Sequence, residues 1–212
     1  MIALRPGITV CIPSIPPRAA LLRRALRSVL QQTMPAAAVS VAVDLDREGA
    51  AKTRQRALDA VQTRWVAFLD DDDELLPNHL AALFVATEDG AEYLWSRFRI
   101  GLPGTTYKGG GVDYTDFRDG PAPLGAGTFE QWNDDQPAQT TITTLVRTEL
   151  ARDVGGFTPA SDGGEIDGQR AGEDWDFTLR CRAAGAVFQH VPEVTWTWHH
   201  HGANTSGLPD RW

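Results

Sequence analysis

Apolar positions in the first ninety residues follow two periods. Residues 8–13 (ITVCIP), 39–43 and 65–69 are short apolar or β-branched runs, the length of strands buried on both faces. Between them, residues 18–32 carry Leu22, Ala25, Leu26, Val29 and Leu30 at helical spacing, and residues 49–62 read as a helix with a basic face of Lys52, Arg54 and Arg56. A third helix is predicted over residues 77–87, where Pro77 suits a first helical position. Strands alternating with helices imply parallel pairing through right-handed crossovers. The first half therefore reads as an α/β layer of nucleotide-binding type.

Beyond residue 90 the pattern is less regular. Residues 91–100 alternate like a strand, and residues 101–127 are rich in glycine and proline with little periodicity, a long loop or small excursion. Gly109-Gly110-Gly111 lacks the spacing and flanks of a phosphate loop. Residues 140–147 are β-branched, and a short helix runs from Thr148 to Gly155-Gly156. A polar loop over 161–170 precedes a helix from Gly172 to Gly185, then a strand over 187–198 and the triplet His199-His200-His201. With no repeat and no linker, residues 1–212 are expected to form one domain, with a nucleotide-binding half (1–90) and a second half (91–212).

Composition narrows the picture. An apolar content of 42% and a charged content of 23% over 212 residues are those of an ordinary globular protein. The net charge of −8 argues against a sequence-independent grip on nucleic acid. No run reaches the roughly 18 apolar residues of a membrane span, and no signal-peptide pattern opens the chain. Cys11 and Cys181 both fall in apolar surroundings, too few for a disulfide framework or a zinc site. A cytoplasmic setting is expected.

The main chemical candidate is Asp70-Asp71-Asp72-Asp73, directly after the run of residues 65–69. Open α/β sheets bind ligands at the carboxyl ends of their strands, and this is such an end. Adjacent like charges repel unless a cation neutralises them, and oxygen-only ligands suit Mg²⁺ or Mn²⁺. A solvated acidic turn has the same composition, but the position between a buried strand and a helix start favours a metal–diphosphate site. Asp44 follows its own strand on the same edge, as a turn former or as an acceptor for a base or ribose. Arg54 is either part of a solvated face or an approach to a diphosphate. Glu173 and Asp174 open a helix, where acids are favoured by its dipole; alternatively one of them points into the crevice as a general base.

In this order the motifs resemble the inverting GT-A glycosyltransferases of family 2, over nearly the whole chain. Val10-Cys11-Ile12-Pro13-Ser14 is similar to the family's IPT opening, and Gly49 to Gln55 to its G-x-x-x-A-R-N helix start. Phe68-Leu69-Asp70-Asp71-Asp72-Asp73 resembles its FLDADD segment. Val154-Gly155-Gly156-Phe157 with Gly172-Glu173-Asp174-Trp175-Asp176-Phe177 and Arg180 resembles VGGF…GEDWDLxLR, and His201-Gly-Ala-Asn204-Thr-Ser206 resembles H-x-x-N-x-S. Ile15 stands where the family usually has an aromatic, and the segment from Asp44 to Gly49 is shorter than usual.

The resemblance implies a GT-A fold: a Rossmann-like, mostly parallel central sheet flanked by helices, with a smaller mixed sheet on the acceptor side. It implies that Pro13, Ser14, Asp44, Arg54, Asp70 and Asp71 bind the nucleotide sugar, a UDP-sugar, and that Asp72 and His201 hold Mn²⁺ or Mg²⁺. Asp174 would be the catalytic base of an inverting transfer. Trp132 and Glu173 are assigned to the side of an acceptor, whether saccharide, protein, metabolite or modified base. Two other readings use the same crevice: a sugar-nucleotide-binding module without turnover, and a nucleotidyltransferase.

Overall fold

The computed structural model describes residues 4–100, 107–109, 112–114, 143–158, 165–166, 169–170 and 172–199. The apolar runs become strands and the 3.6-period stretches become helices, with ends moved by a few residues. In order they are β1 (Arg5–Ser14), α1 (Ala19–Leu30), β2 (Ala38–Val43), α2 (Ala50–Asp59), β3 (Thr63–Phe68), β4 (Glu74–Leu75), α3 (His79–Val85) and β5 (Tyr93–Ile100). Then come β6 (Tyr107–Gly109), β7 (Val112–Tyr114), β8 (Thr144–Arg147), α4 (Thr148–Asp153), β9 (Glu165–Ile166), β10 (Gln169–Arg170), α5 (Glu173–Ala183) and β11 (Phe188–Trp198). Pro16 and Pro17 hold the chain in a 3₁₀ turn through Arg18, so α1 begins only at Ala19. Helix α3 is shorter than its pattern and ends in a 3₁₀ turn over Ala86–Asp89.

Seven strands form one sheet in the order β2-β1-β3-β8-β5-β11-β4. β1 pairs in parallel with β2 and β3, and β5 with β11, whereas β8 enters antiparallel between β3 and β5. The result is an α/β fold of the GT-A kind, with a mixed and mostly parallel sheet. Two antiparallel ribbons, β6–β7 and β9–β10, lie outside it. Helix α1 packs on β1 and β4, α2 on β1 and β2, α3 on β5, β8 and β11, and α4 on β3 and β8. Ile8, Val10, Ile12, Val66, Leu58, Leu80, Leu94 and Leu145 fill the core between them.

An aromatic joint fixes the carboxyl end of β3. Phe68 meets Phe157 edge-on at 5.1 Å and Phe177 at 5.9 Å, and these two stack on each other at 4.5 Å. Such pairs add to the area they bury. Phe157 reaches this place because α4 ends in Gly155 and Gly156, with φ of +84° and +63°, a backbone that side chains with a Cβ rarely adopt. Arg180 on α5 then donates to the carbonyls of Val154 and Gly156 while its own helix holds it through Asp176. The glycine pair and the start of α5 are thus two halves of one joint.

Strand β4 was not legible in the sequence. Its two residues are too few to show a period, and they become a strand only by pairing with β11, Leu75 with Trp196 and Glu74 with Thr197. Cys11 and Cys181 are buried free thiols, each pushed up to about 12 by burial. Among the described residues no helix is long and apolar enough to cross a membrane.

One buried histidine gives the fold an acid sensitivity. His79 Nδ1 lies 2.7 Å from the Thr195 hydroxyl, and burial lowers its pKa to about 3, against the opposing effect of Thr195. An unfolded histidine titrates near 6.5, so between these values the unfolded chain binds the extra proton. Stability through this group therefore falls on acidification, by about 1.4 kcal/mol per pH unit in that window. His79→Gln keeps a polar partner for Thr195 but removes the titration. The stability advantage of the parent chain over this variant should vanish between pH 7 and pH 4 in thermal melts.

Candidate active site

β3 delivers its chain end into a tight turn. Leu69 N–H bonds the Cys11 carbonyl at 3.0 Å, and Asp73 N–H bonds the Asp70 carbonyl at 3.2 Å. This turn sorts the four aspartates. Asp70, Asp72 and Asp73 each bring a carboxylate oxygen into a group whose atoms all lie within 4.8 Å of one another. Asp71 faces β1 instead: Ser14 Oγ donates to it at 2.6 Å and Arg18 Nη1 at 3.0 Å. The same Arg18 nitrogen is 3.0 Å from Asp72 Oδ2, and Arg24 donates to the Asp72 carbonyl and lies near Glu74.

Charge is in surplus at this turn. Burial pushes the Asp71 carboxyl up to about 6, against the Ser14 bond and the Arg18 charge. Asp73 is driven well above the usual range by burial first and then by Asp72 and Asp70. The donor set fits a divalent cation on this structure's own terms: three clustered hard oxygens, with repulsion between them that a cation would relieve.

Of the two readings open for Arg54, the structure excludes the solvated face. Lys52 and Arg56 remain on the helix surface and pair with Glu48. Arg54 is buried, donating to Asp70 Oδ1 at 2.7 Å and to Glu173 Oε1. Burial opposes its charge, but Asp70, Asp174 and Asp72 outweigh that and its pKa rises. Glu173, expected on the acceptor side, is held by this guanidinium. Asp174 lies in the same field; its pKa is raised by burial, which outweighs the opposing charge of Arg54. One of its oxygens, Oδ1, accepts the N–H of Trp175 at 2.8 Å.

The remaining candidates divide. Pro13 and Ser14 end β1 opposite Ala42 and Val43 on β2. Asp44 is buried at the end of β2, and its two oxygens accept the amides of Glu48 and Gly49 at 2.9 and 2.8 Å. The short segment after Asp44 makes this possible by folding straight back to α2. His201 and Trp132 lie outside the described residues. His199, two residues before His201 in the sequence, is brought to the acids by the β4–β11 pairing: its N–H bonds Asp73 Oδ1 at 2.9 Å, and Nε2 lies 2.7 Å from Glu74 Oε2.

Sequence reasoning included Asp73 in the acidic run but gave it no role of its own, and it missed Arg18 and Arg24. Only the turn's register selects Asp73. Arg18 was accessible to a simpler question, which cation follows β1 on the same sheet edge as the acids.

The Arg54 bridge carries an energetic expectation. Arg54→Met leaves the buried Glu173 carboxylate without its cation, and loss of one partner of a buried pair costs about 3–5 kcal/mol. Urea unfolding should show a loss of that order. Arg54→Met combined with Glu173→Met should recover part of it, since the stranded acid is gone and the more exposed Asp70 can turn to water.

Comparison with known proteins bears on the fold and the family. Solved structures of S. aureus TarS share the fold. The chain aligns with one at a TM-score of 0.61 and 15% identity, covering 92% of this chain and 37% of that one. It aligns with residues 1–349 of TarS in complex with UDP-GlcNAc at 0.58 and 14%, covering 92% and 59%. For the complex with UDP the values are 0.56 and 14%, covering 93% and 61%. The chain thus spans less than two thirds of the length of each. No curated protein matches the sequence. The profile of glycosyl transferase family 2 matches residues 39–152, more than half of the chain. This chain belongs to glycosyl transferase family 2.

Proposed function

We propose that the protein transfers a sugar from a nucleoside-diphosphate donor, a UDP-sugar, to an acceptor hydroxyl with inversion at the anomeric carbon. Family membership and the TarS complexes with UDP-GlcNAc and UDP support this reading. The observation that carries it is Arg54, whose one guanidinium touches both the aspartate turn and the Glu173–Asp174 helix start. Donor and acceptor chemistry then share one locus.

Asp70, Asp72 and Asp73 would hold a divalent ion, with His201 as a further ligand. When bound, that ion supplies positive charge for the departing diphosphate oxygens. Pro13, Ser14, Asp71 and Arg18 would receive the nucleoside and phosphates at the end of β1. Asp44 would meet the base with the lone pairs its two backbone bonds leave over. Asp174 has the role of general base. Trp175 N–H fixes one of its oxygens, and burial raises its proton affinity, which suits a group that must take a proton from a hydroxyl. Glu173 is neutralised by Arg54, so of the adjacent acids Asp174 is the one free to act. A single carboxylate suffices for one displacement, and no covalent sugar intermediate is formed.

A thermal-shift panel of UDP-sugars with and without Mn²⁺ tests the donor first. UDP release, rather than pyrophosphate release, tests the reaction and separates it from nucleotidyl transfer. Asp174→Asn should lower turnover by about 10²–10⁴-fold while donor affinity by calorimetry is retained; unchanged turnover would remove Asp174 from the mechanism. Asp72→Ala should lose the Mn²⁺-dependent part of UDP-GlcNAc affinity, and equal affinity with and without Asp72 would count against the metal site.

A further inference from the structure

We propose that Gly172 is a positioning residue for Asp174: it lacks a side chain so that the carboxylate can lie back over the first turn of α5. The inference rests on the reading of Asp174 as general base. Gly172 is the N-cap of α5, with φ −66° and ψ 161°. That backbone is open to any residue, so conformation does not ask for glycine here, in contrast to Gly155 and Gly156. Nor does capping: serine, threonine, aspartate and asparagine lead at an N-cap because their side chains bond the free amides of the first turn.

Space explains the choice. A Cβ at position 172 would stand 2.8 Å from Asp174 Oδ1, and, its two chain neighbours apart, nothing among the described residues but the Asp174 carboxyl comes within 4 Å of it. The same Oδ1 accepts the Trp175 N–H, one of the amides that a capping side chain would otherwise take. The first turn of α5 has therefore exchanged its usual cap for one supplied by Asp174. That exchange fixes the orientation of the carboxylate, because Asp174 yields to a Cβ only by turning about one of its side-chain bonds, which moves both oxygens and gives up the Trp175 bond. Arg54 lies out of reach of the added atom, so its ion pair with Glu173 is expected to persist.

The physical consequence is a separation of stability from activity. Gly172→Ser offers α5 a normal cap and at the same time displaces the carboxylate. Gly172→Ala adds the same Cβ without the cap. The experiment compares both with the parent and with Asp174→Asn in the full chain. Thermal unfolding, UDP-GlcNAc affinity in Mn²⁺ and UDP release from UDP-GlcNAc are the three readouts. Gly172→Ser is expected to melt at or above the parent temperature and to bind UDP-GlcNAc within twofold of the parent. Its kcat should fall by at least tenfold with KM for the donor unchanged, and Gly172→Ala should show the same loss of kcat. A kcat within twofold of the parent in both Gly172 variants, alongside an inactive Asp174→Asn, overturns the proposal alone. Loss of kcat only in step with loss of folded protein also overturns it. Full activity in Asp174→Asn overturns the base reading and the proposal with it.

Discussion

A buried guanidinium organises this molecule. Arg54 is withdrawn from water at the cost any buried charge carries, and only the carboxylates of Asp70 and Glu173, with Asp174 nearby, make that placement tolerable. The converse also holds. The turn after β3 carries four successive aspartates and Glu74, and without Arg54, Arg18 and Arg24 it would be a dense block of negative charge. The three arginines reach it from the loop after β1, from α1 and from α2. Electrostatic balance at one turn thus fixes how elements from both ends of the chain come together.

Packing supplies the rigidity that the charges need. Phe68 is two residues before Asp70, and Phe177 is three residues after Asp174; Phe157 lies between them, in contact with both. The aromatic joint thereby sets the separation between the aspartate turn and the start of α5. Gln55 supports it from the α2 side, accepting the Phe157 N–H at 2.8 Å one residue after Arg54. On the far side of the turn, β4 and β11 perform the corresponding task for His199. The acids are held between an apolar joint and a two-residue strand.

Much of this was legible in the residue pattern. The alternation of β-branched runs with 3.6-period helices gave the parallel layer, because burial on both faces leaves a continuous apolar signature. Asp70 to Asp73 stood out because a buried strand cannot continue into four charges. What the pattern could not show was pairing between distant segments. β8 reads as a strand but nothing in it says that it enters between β3 and β5, and β4 has no signal of its own. The direction of Arg54 was also hidden, since an arginine on a helix looks the same whether its head meets water or two carboxylates. Asp44 shows the same limit: its backbone partners exist only because the following segment is short enough to fold back.

The insertion of β8 also bears on how the chain reaches this state. β3 is made of residues 63–68, yet one of its two neighbours in the sheet arrives only with residues 144–147. Until then β3 presents an open hydrogen-bonding edge beside the aspartate turn, and the glutamate that completes the Arg54 ion pairs lies later still. Contacts of such long sequence separation delay the transition state and leave unpaired edges exposed meanwhile. Chains that have not yet emerged through β8 therefore expose the β3 edge to mispairing while folding is incomplete.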